Sequence, residues 1–96
     1  MSGYALSEAA DADILRIITD SVRRWGMPRA ERYVFDLHEA FENLAAFPHI
    51  GNDAGHSREG YFWFPHDSHS IFYQKTDEGI LIVRVLHQKQ LPENYL

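Results

Sequence analysis

An arginine interrupts an aliphatic run near the end of this chain, and a histidine comes three positions later: residues 79–90 read GILIVRVLHQKQ, with Arg84 and His87 at the turn from apolar to polar. Cutting RNA through its own 2′-hydroxyl needs a base for that proton, a cation for the phosphate and an acid for the leaving group. Residues of each type are present. Glu59 or His87 could serve as base or acid, Arg58 and Arg84 as clamps, and Tyr73 as a proton donor. A second chemistry is suggested by His66-Asp67-Ser68-His69, in which two imidazoles lie three apart. That spacing shares a metal ion on a helix, but here it falls between two strand-like runs, so no metal site is expected.

The elements that must position these groups are legible from periodicity. Tyr4-Ala5-Leu6 reads as a short strand, and Ser7 is a natural N-cap for a helix starting at Glu8. Ile14, Ile17, Ile18, Val22 and Trp25 recur at three and four, the spacing of one helix face, so a helix is predicted over 8–25. Asp11 and Asp13 fall early and Arg23 and Arg24 late, as the helix dipole favours, and Gly26 closes the helix. Pro28 opens a second helix whose stripe runs through Ala30, Tyr33, Val34, Leu37, Ala40, Phe41, Leu44 and Phe47. So short a connection forces an antiparallel hairpin over 8–47. After a loop, three aromatic or β-branched runs occupy 61–86, and a tail covers 88–96. The fold class expected is α+β: a single domain, 1–96, in which a short N-terminal strand and a helical hairpin pack on one face of an antiparallel sheet, β-α-α-β-β-β.

Strand parity assigns faces, because residues two apart share one. Leu81, Val83 and Val85 form a uniformly apolar face for the helices, with His87 on the same side. Ile80, Ile82, Arg84 and Leu86 then face outward, which separates Arg84 from His87 and argues against a shared reaction centre. With Phe64 and Phe72 turned to the helices, Trp63 and Tyr73 join the outward set. Trp63, Tyr73, Ile80, Ile82, Arg84 and Leu86 thus form a surface too apolar to stay bare, and a partner is expected on it.

Composition narrows the class. There are no cysteines, and the net charge is −5 from 14 acidic and nine basic residues. Residues 1–27 carry four acids and three bases, 28–47 four and two, and 48–96 six and four, so none of these three segments is basic. A polyanion-binding field is not expected, nor is direct nucleic-acid contact. No apolar run approaches the ~18 residues of a membrane span, so a soluble cytoplasmic protein is expected.

The ordered segments YALSEAADADILRI, RRWG, ERYVFDLHEAFENLAAFPHIG, SREGYFWFPHDSHSIFYQ and RVLHQ resemble the ParE toxins of type II toxin–antitoxin modules, over nearly the whole chain from Tyr4 to about Gln88. That resemblance implies a bacterial, non-enzymatic protein with no catalytic residues and no cofactor, neutralised by a ParD antitoxin and poisoning DNA gyrase. It also implies target contact through the C-terminal region, here Leu91, Tyr95 and Leu96, to which Arg58, Tyr61 and His87 are added. The alternatives are a ribosome-dependent mRNA endonuclease of the RelE type and a degenerate module that only binds its antitoxin. Phe62 and Trp63 stand where many ParE chains carry a basic residue after the Gly-Tyr pair. The toxin is itself acidic, so antitoxin binding is expected to rest on apolar burial.

Overall fold

The computed structural model describes residues 3–96. Strand β1 (Tyr4–Leu6) leads into helix α1 (Glu8–Trp25), which turns directly into helix α2 (Met27–Ala46). Strands β2 (Asn52–Asp53), β3 (Tyr61–His66), β4 (His69–Thr76) and β5 (Gly79–His87) complete the sheet, and one 3-10 turn, Pro92–Asn94, lies in the tail. The sheet order is β1-β5-β4-β3-β2, with the helical hairpin on one face. The expected helices and the three main strands are all present.

Two features of the sheet depart from the expectation. β1 pairs parallel to β5, Tyr4 opposite Ile80 and Leu6 opposite Ile82, so the sheet is antiparallel only from β5 to β2. And Asn52–Asp53, read as loop, adds a two-residue edge strand beside Phe62 and Trp63. Asn and Asp are poor strand formers, and only the neighbouring strand holds them extended.

Local chemistry accounts for the helices. The Ser7 hydroxyl accepts the Ala10 N–H at 3.0 Å, and Arg23 and Arg24 occupy the last turn of α1. Gly26 alone joins the helices, capping the end of one and the start of the other at φ 89°, a conformation costly for any residue with a β-carbon. The main core lies between hairpin and sheet, where Ile14, Ile17, Leu37, Phe41 and Leu44 meet Ile71, Tyr73, Ile80, Ile82 and Val85.

The parity expectation fails in half of β5, and the cause is a single residue. Phe72 pairs with Arg84 but Tyr73 pairs with Ile82, so Val83 is an extra residue, a β-bulge. Before the bulge Ile80 and Ile82 point to the helices and Leu81 and Val83 away; after it Val85 and His87 point in and Leu86 out. One inserted residue reverses the faces of everything N-terminal to it. Tyr73 is likewise inside, fully buried, its hydroxyl donating to the Pro48 carbonyl at 2.7 Å, while Phe72 is outside beside Trp63.

β5 is also an unfinished edge. β1 covers it only as far as Ile82, after which the chain turns into α1 and side chains take over. Ser7 donates its hydroxyl to the Val83 carbonyl at 2.8 Å, and Asp13 Oδ2 accepts the Val85 N–H at 2.9 Å. Arg84 completes the set with a bidentate contact, Nε to Oδ2 and Nη2 to Oδ1, each 2.8 Å. The carboxylate, 1% exposed, raises the guanidinium above its ordinary value chiefly by accepting those bonds. At the far end of the sheet the Tyr33 hydroxyl of α2 lies 2.8 Å from Nδ1 of His69 and ties hairpin to β4. Burial, then the neighbouring His87 and His66, lowers the His69 pKa from 6.5 against the opposing pull of Asp67 and Asp13.

These ties have two measurable consequences. Asp13→Ala leaves a half-buried guanidinium and a strand N–H without a partner, and is expected to cost roughly 3 kcal/mol in urea denaturation. Because the folded protein resists protonating His69, the unfolded chain binds more protons below pH 6.5. The stability tied to His69 is therefore complete above that pH and declines as pH falls through the lower folded value. Urea midpoints measured from about pH 7.5 to pH 5 should drop for the wild type and drop less steeply for His69→Gln.

Candidate functional site

The sheet face away from the helices carries a second apolar cluster. Phe72, Val83, Leu86 and Ala54 are buried in it, and Tyr61, Trp63, Leu81 and Leu96 pack around them. Three elements frame it. β3 and β4 present Trp63 directly opposite Phe72, the loop after β2 folds over at Ala54, and the tail crosses back from β5. Between loop and tail a groove of about 260 Å³ stays open, with Trp63 and Phe72 on one side and Pro92 on the other.

The tail, expected to contact the target, is held against the sheet. Arg84 Nη1 donates to the Tyr95 carbonyl at 3.0 Å and the guanidinium lies 5.4 Å from the Tyr95 ring centre. Leu96 packs on the cluster, whereas Leu91 remains 61% exposed and Tyr95 41%.

Parity puts six residues on the docking face, and the structure divides them. Trp63, Arg84 and Leu86 are on it, although Leu86 is only 1% exposed. Tyr73, Ile80 and Ile82 are not: the bulge turns Ile80 and Ile82 to the helices, the β3–β4 register puts Tyr73 there beside Phe62, and all three belong to the main core where no partner reaches them. Of the six residues expected at a target contact, Arg58 lies over the Tyr61 ring with 5.5 Å to its centre, and Tyr61 and Leu96 share the outer cluster. Leu91 and Tyr95 belong to the tail. His87 stands apart, paired with His69 at the other end of the sheet and facing the helices.

The groups that suggest nuclease chemistry are not brought together. All three nitrogens of Arg84 are engaged, two by Asp13 and one by Tyr95. His87 sits across the sheet from it, in a cleft with Arg24, Ser21 and Tyr33. Tyr73 is spent on Pro48, and Glu59 and Arg58 are in the loop before β3, where both are exposed. His66 and His69 form a hairpin pair, and no group of three or more His, Cys, Asp or Glu among the described residues is arranged to hold a metal ion.

Sequence reasoning misses Asp13 and Phe72. Asp13 has a signal: it falls on the buried stripe Ala10, Asp13, Ile14, Ile17, Ser21, where an acid needs a cation, and Arg84 is the cation inside a strand. Phe72 has one too: with Asp67 and Ser68 as the hairpin turn, Phe64 falls opposite Ile71 and Trp63 opposite Phe72, so Phe64 and Phe72 cannot share a face. A charge reading also needs correcting. Segment counts that break at residue 27 divide the run 23–32, which holds four arginines against one glutamate.

Comparison with known proteins accords with this architecture. The family model for the ParE toxin of the type II toxin–antitoxin system parDE matches residues 4–92. Toxin ParE1 of Mycobacterium tuberculosis is 42% identical over 89 residues, covering 92% of this chain and 91% of that one. Toxin ParE1 of Caulobacter vibrioides is 38% identical over 88 residues, with 92% and 91% covered. A solved structure described as the chromosomal ParDE TA system from P. aeruginosa superposes with a TM-score of 0.77 at 20% identity, covering 91% of this chain and 96% of that one, a likeness of fold. With the family matched across almost the entire sheet-and-hairpin unit, this chain belongs to the ParE toxins of type II toxin–antitoxin systems.

Proposed function

We propose that this chain is a growth-inhibiting toxin that acts on DNA gyrase in the bacterial cytoplasm, trapping the enzyme on cleaved DNA, and is held inactive by a ParD-type antitoxin seated on the outer sheet face. The toxin contributes no catalytic group. The observation that carries the antitoxin contact is the open groove beside Trp63 and Phe72, an apolar recess on a protein whose charge of −5 gives an acidic partner nothing to attract it at long range. Burying about 500 Å² of apolar surface is worth on the order of 12 kcal/mol gross, much of which ordering a flexible antitoxin segment consumes. Such a segment gains its fold from the surface it covers.

The position of the tail sharpens this reading. Pro92 forms one side of the groove and Leu96 covers part of the cluster. An antitoxin segment therefore meets loop, sheet and tail together, and the half-exposed Tyr95 and exposed Leu91 stay outside the recess for the target. The scattered nuclease candidates favour a non-catalytic toxin over a RelE-type endonuclease.

Two measurements test the proposal. Trp63→Asp places a charge in the groove without touching the helix-facing core, and is expected to weaken antitoxin binding at least 100-fold, about 3 kcal/mol, while the protein still unfolds cooperatively from a folded state. Wild-type affinity from that variant would refute the docking site. Ile82→Asp, by contrast, should abolish folding itself. Incubating the wild-type toxin with gyrase and supercoiled plasmid should accumulate linear DNA; cut messages in a translation extract, with no linear plasmid, would place the protein among the nucleases instead.

A further inference from the structure

Where α1 turns into α2, the run 23–32 carries four arginines against one glutamate. Arg16, Arg23, Arg24, Arg29 and Arg32 make five of the nine cations of the chain, all within 17 residues, 16–32. Because only Gly26 separates the helices, the last turn of one and the first turns of the other are adjacent, and Arg23, Arg24, Arg29 and Arg32 share that end. All four are exposed. The ion pairs among the described residues both fall on Asp13, so none of the four is neutralised by a contacting carboxylate.

Trp25 sits among them, 48% exposed, with the Arg29 guanidinium 4.6 Å from its ring centre. Its place on the apolar stripe of α1 suggests the core, where large aromatics usually lie. Two clefts of about 120 and 480 Å³ adjoin it, sharing Trp25, Tyr33 and Ser68. The smaller one is rich in donors. Ser21, only 4% exposed, lines it. Nδ1 of His87 accepts the Lys89 N–H at 3.1 Å, which leaves the proton of the neutral ring on Nε2. The Tyr33 phenol, pushed up to about 12 by burial and Asp67, keeps its proton throughout the physiological range. Asp20, Asp36 and Asp67 border the clefts and moderate the positive field, so contact there must be short-range.

We infer that this end of the hairpin binds single-stranded nucleic acid, with phosphates on the arginines and a base stacked on the part of Trp25 that Arg29 leaves open. Arginines flanking a half-bare indole, with hydroxyl and imidazole donors beside it, suit a charged backbone carrying flat rings. An acidic polypeptide could engage the cations too, but it meets the indole only where its sequence supplies an aromatic or apolar side chain, whereas every nucleotide brings a flat ring with its phosphate. The inference replaces the expectation of no direct nucleic-acid contact, and it stands whether or not gyrase is the target.

The test uses the full chain carrying Trp63→Phe, which leaves Trp25 as the remaining indole of two. It is titrated with a thymidine oligonucleotide of roughly 20 residues, a duplex of the same length, and polyglutamate. The single strand should quench Trp25 saturably at about 50 mM salt, and neutralising about three phosphates gives a slope near −2 for log affinity against log salt. Arg29→Ala with Arg32→Ala should flatten that slope by about 1.4 and weaken binding at least tenfold. Trp25→Ala, tracked by anisotropy of a labelled strand, should weaken it about tenfold. Arg29 and Arg32 are exposed, so the double arginine variant should leave the thermal midpoint unchanged. The proposal is overturned by an absence of binding at low salt, by equal affinity in the double arginine variant, or by duplex binding that leaves Trp25 emission unmoved. Polyglutamate binding as tightly as the oligonucleotide would likewise overturn it and make the surface a site for acidic protein.

Discussion

The fold depends on how the open edge of β5 is finished. β1 is three residues long and leaves β5 halfway, so the Val83 carbonyl and Val85 N–H would face the interior with no strand beside them. Unpaired backbone groups at such a place cost about as much as a lost hydrogen bond each. Ser7 and Asp13, one turn and a half apart at the start of α1, supply the missing partners from side chains. The hydroxyl of Ser7 does double duty, capping the helix it starts and closing the strand beside it. Helix start, strand edge and cation are thereby one connected unit, and Arg84 extends it to the tail through Tyr95. The second cation on Asp13, Arg16 at 3.4 Å and largely exposed, adds little by comparison.

The bulge at Val83 is the counterpart of that edge. It lets Arg84 stay on the outer face opposite Phe72 while reaching round to Asp13, and it lets Ile80 and Ile82 fill the core under the helices. The consequence for function is a division of surfaces. One face of the sheet is given over to packing the hairpin, and the other keeps an aromatic recess whose walls are a loop and the chain's own tail. The residues that suggest a reaction centre are spread across that division, and Arg84 and Tyr73 have their polar atoms engaged in holding the fold.

Charge is distributed as unevenly as hydrophobicity. The net value of −5 hides a run, 23–32, with four arginines against one glutamate, which the single-glycine turn gathers at one end of the hairpin beside Asp20, Asp36 and Asp67. Arg23 and Arg24 answer the dipole at the end of α1, but Arg29 stands in the first turn of α2, where a cation opposes it and no acid offsets it.

Much of this is decided by local chemistry and so is readable from the chain alone. Three-and-four spacing sets both helices, Ser7 and Gly26 set their ends, and aromatic or β-branched runs set β3 to β5; the family is legible in the same segments. The outward place of Trp63 and the separation of Arg84 from His87 are also correctly expected, the latter because both lie C-terminal to the bulge. Only the tertiary structure decides the properties that depend on counting across a non-local pairing. The faces of Ile80 and Ile82 turn on one extra residue that no periodicity reveals, and those of Phe72 and Tyr73 on the register of β4 against β3. The parallel course of β1 turns on which neighbour it takes, and the role of Asp13 on a cation 71 positions away. The basic end exists because a turn unites what a linear charge count divides. Local patterns fix what each segment becomes; only packing decides which side of it meets water.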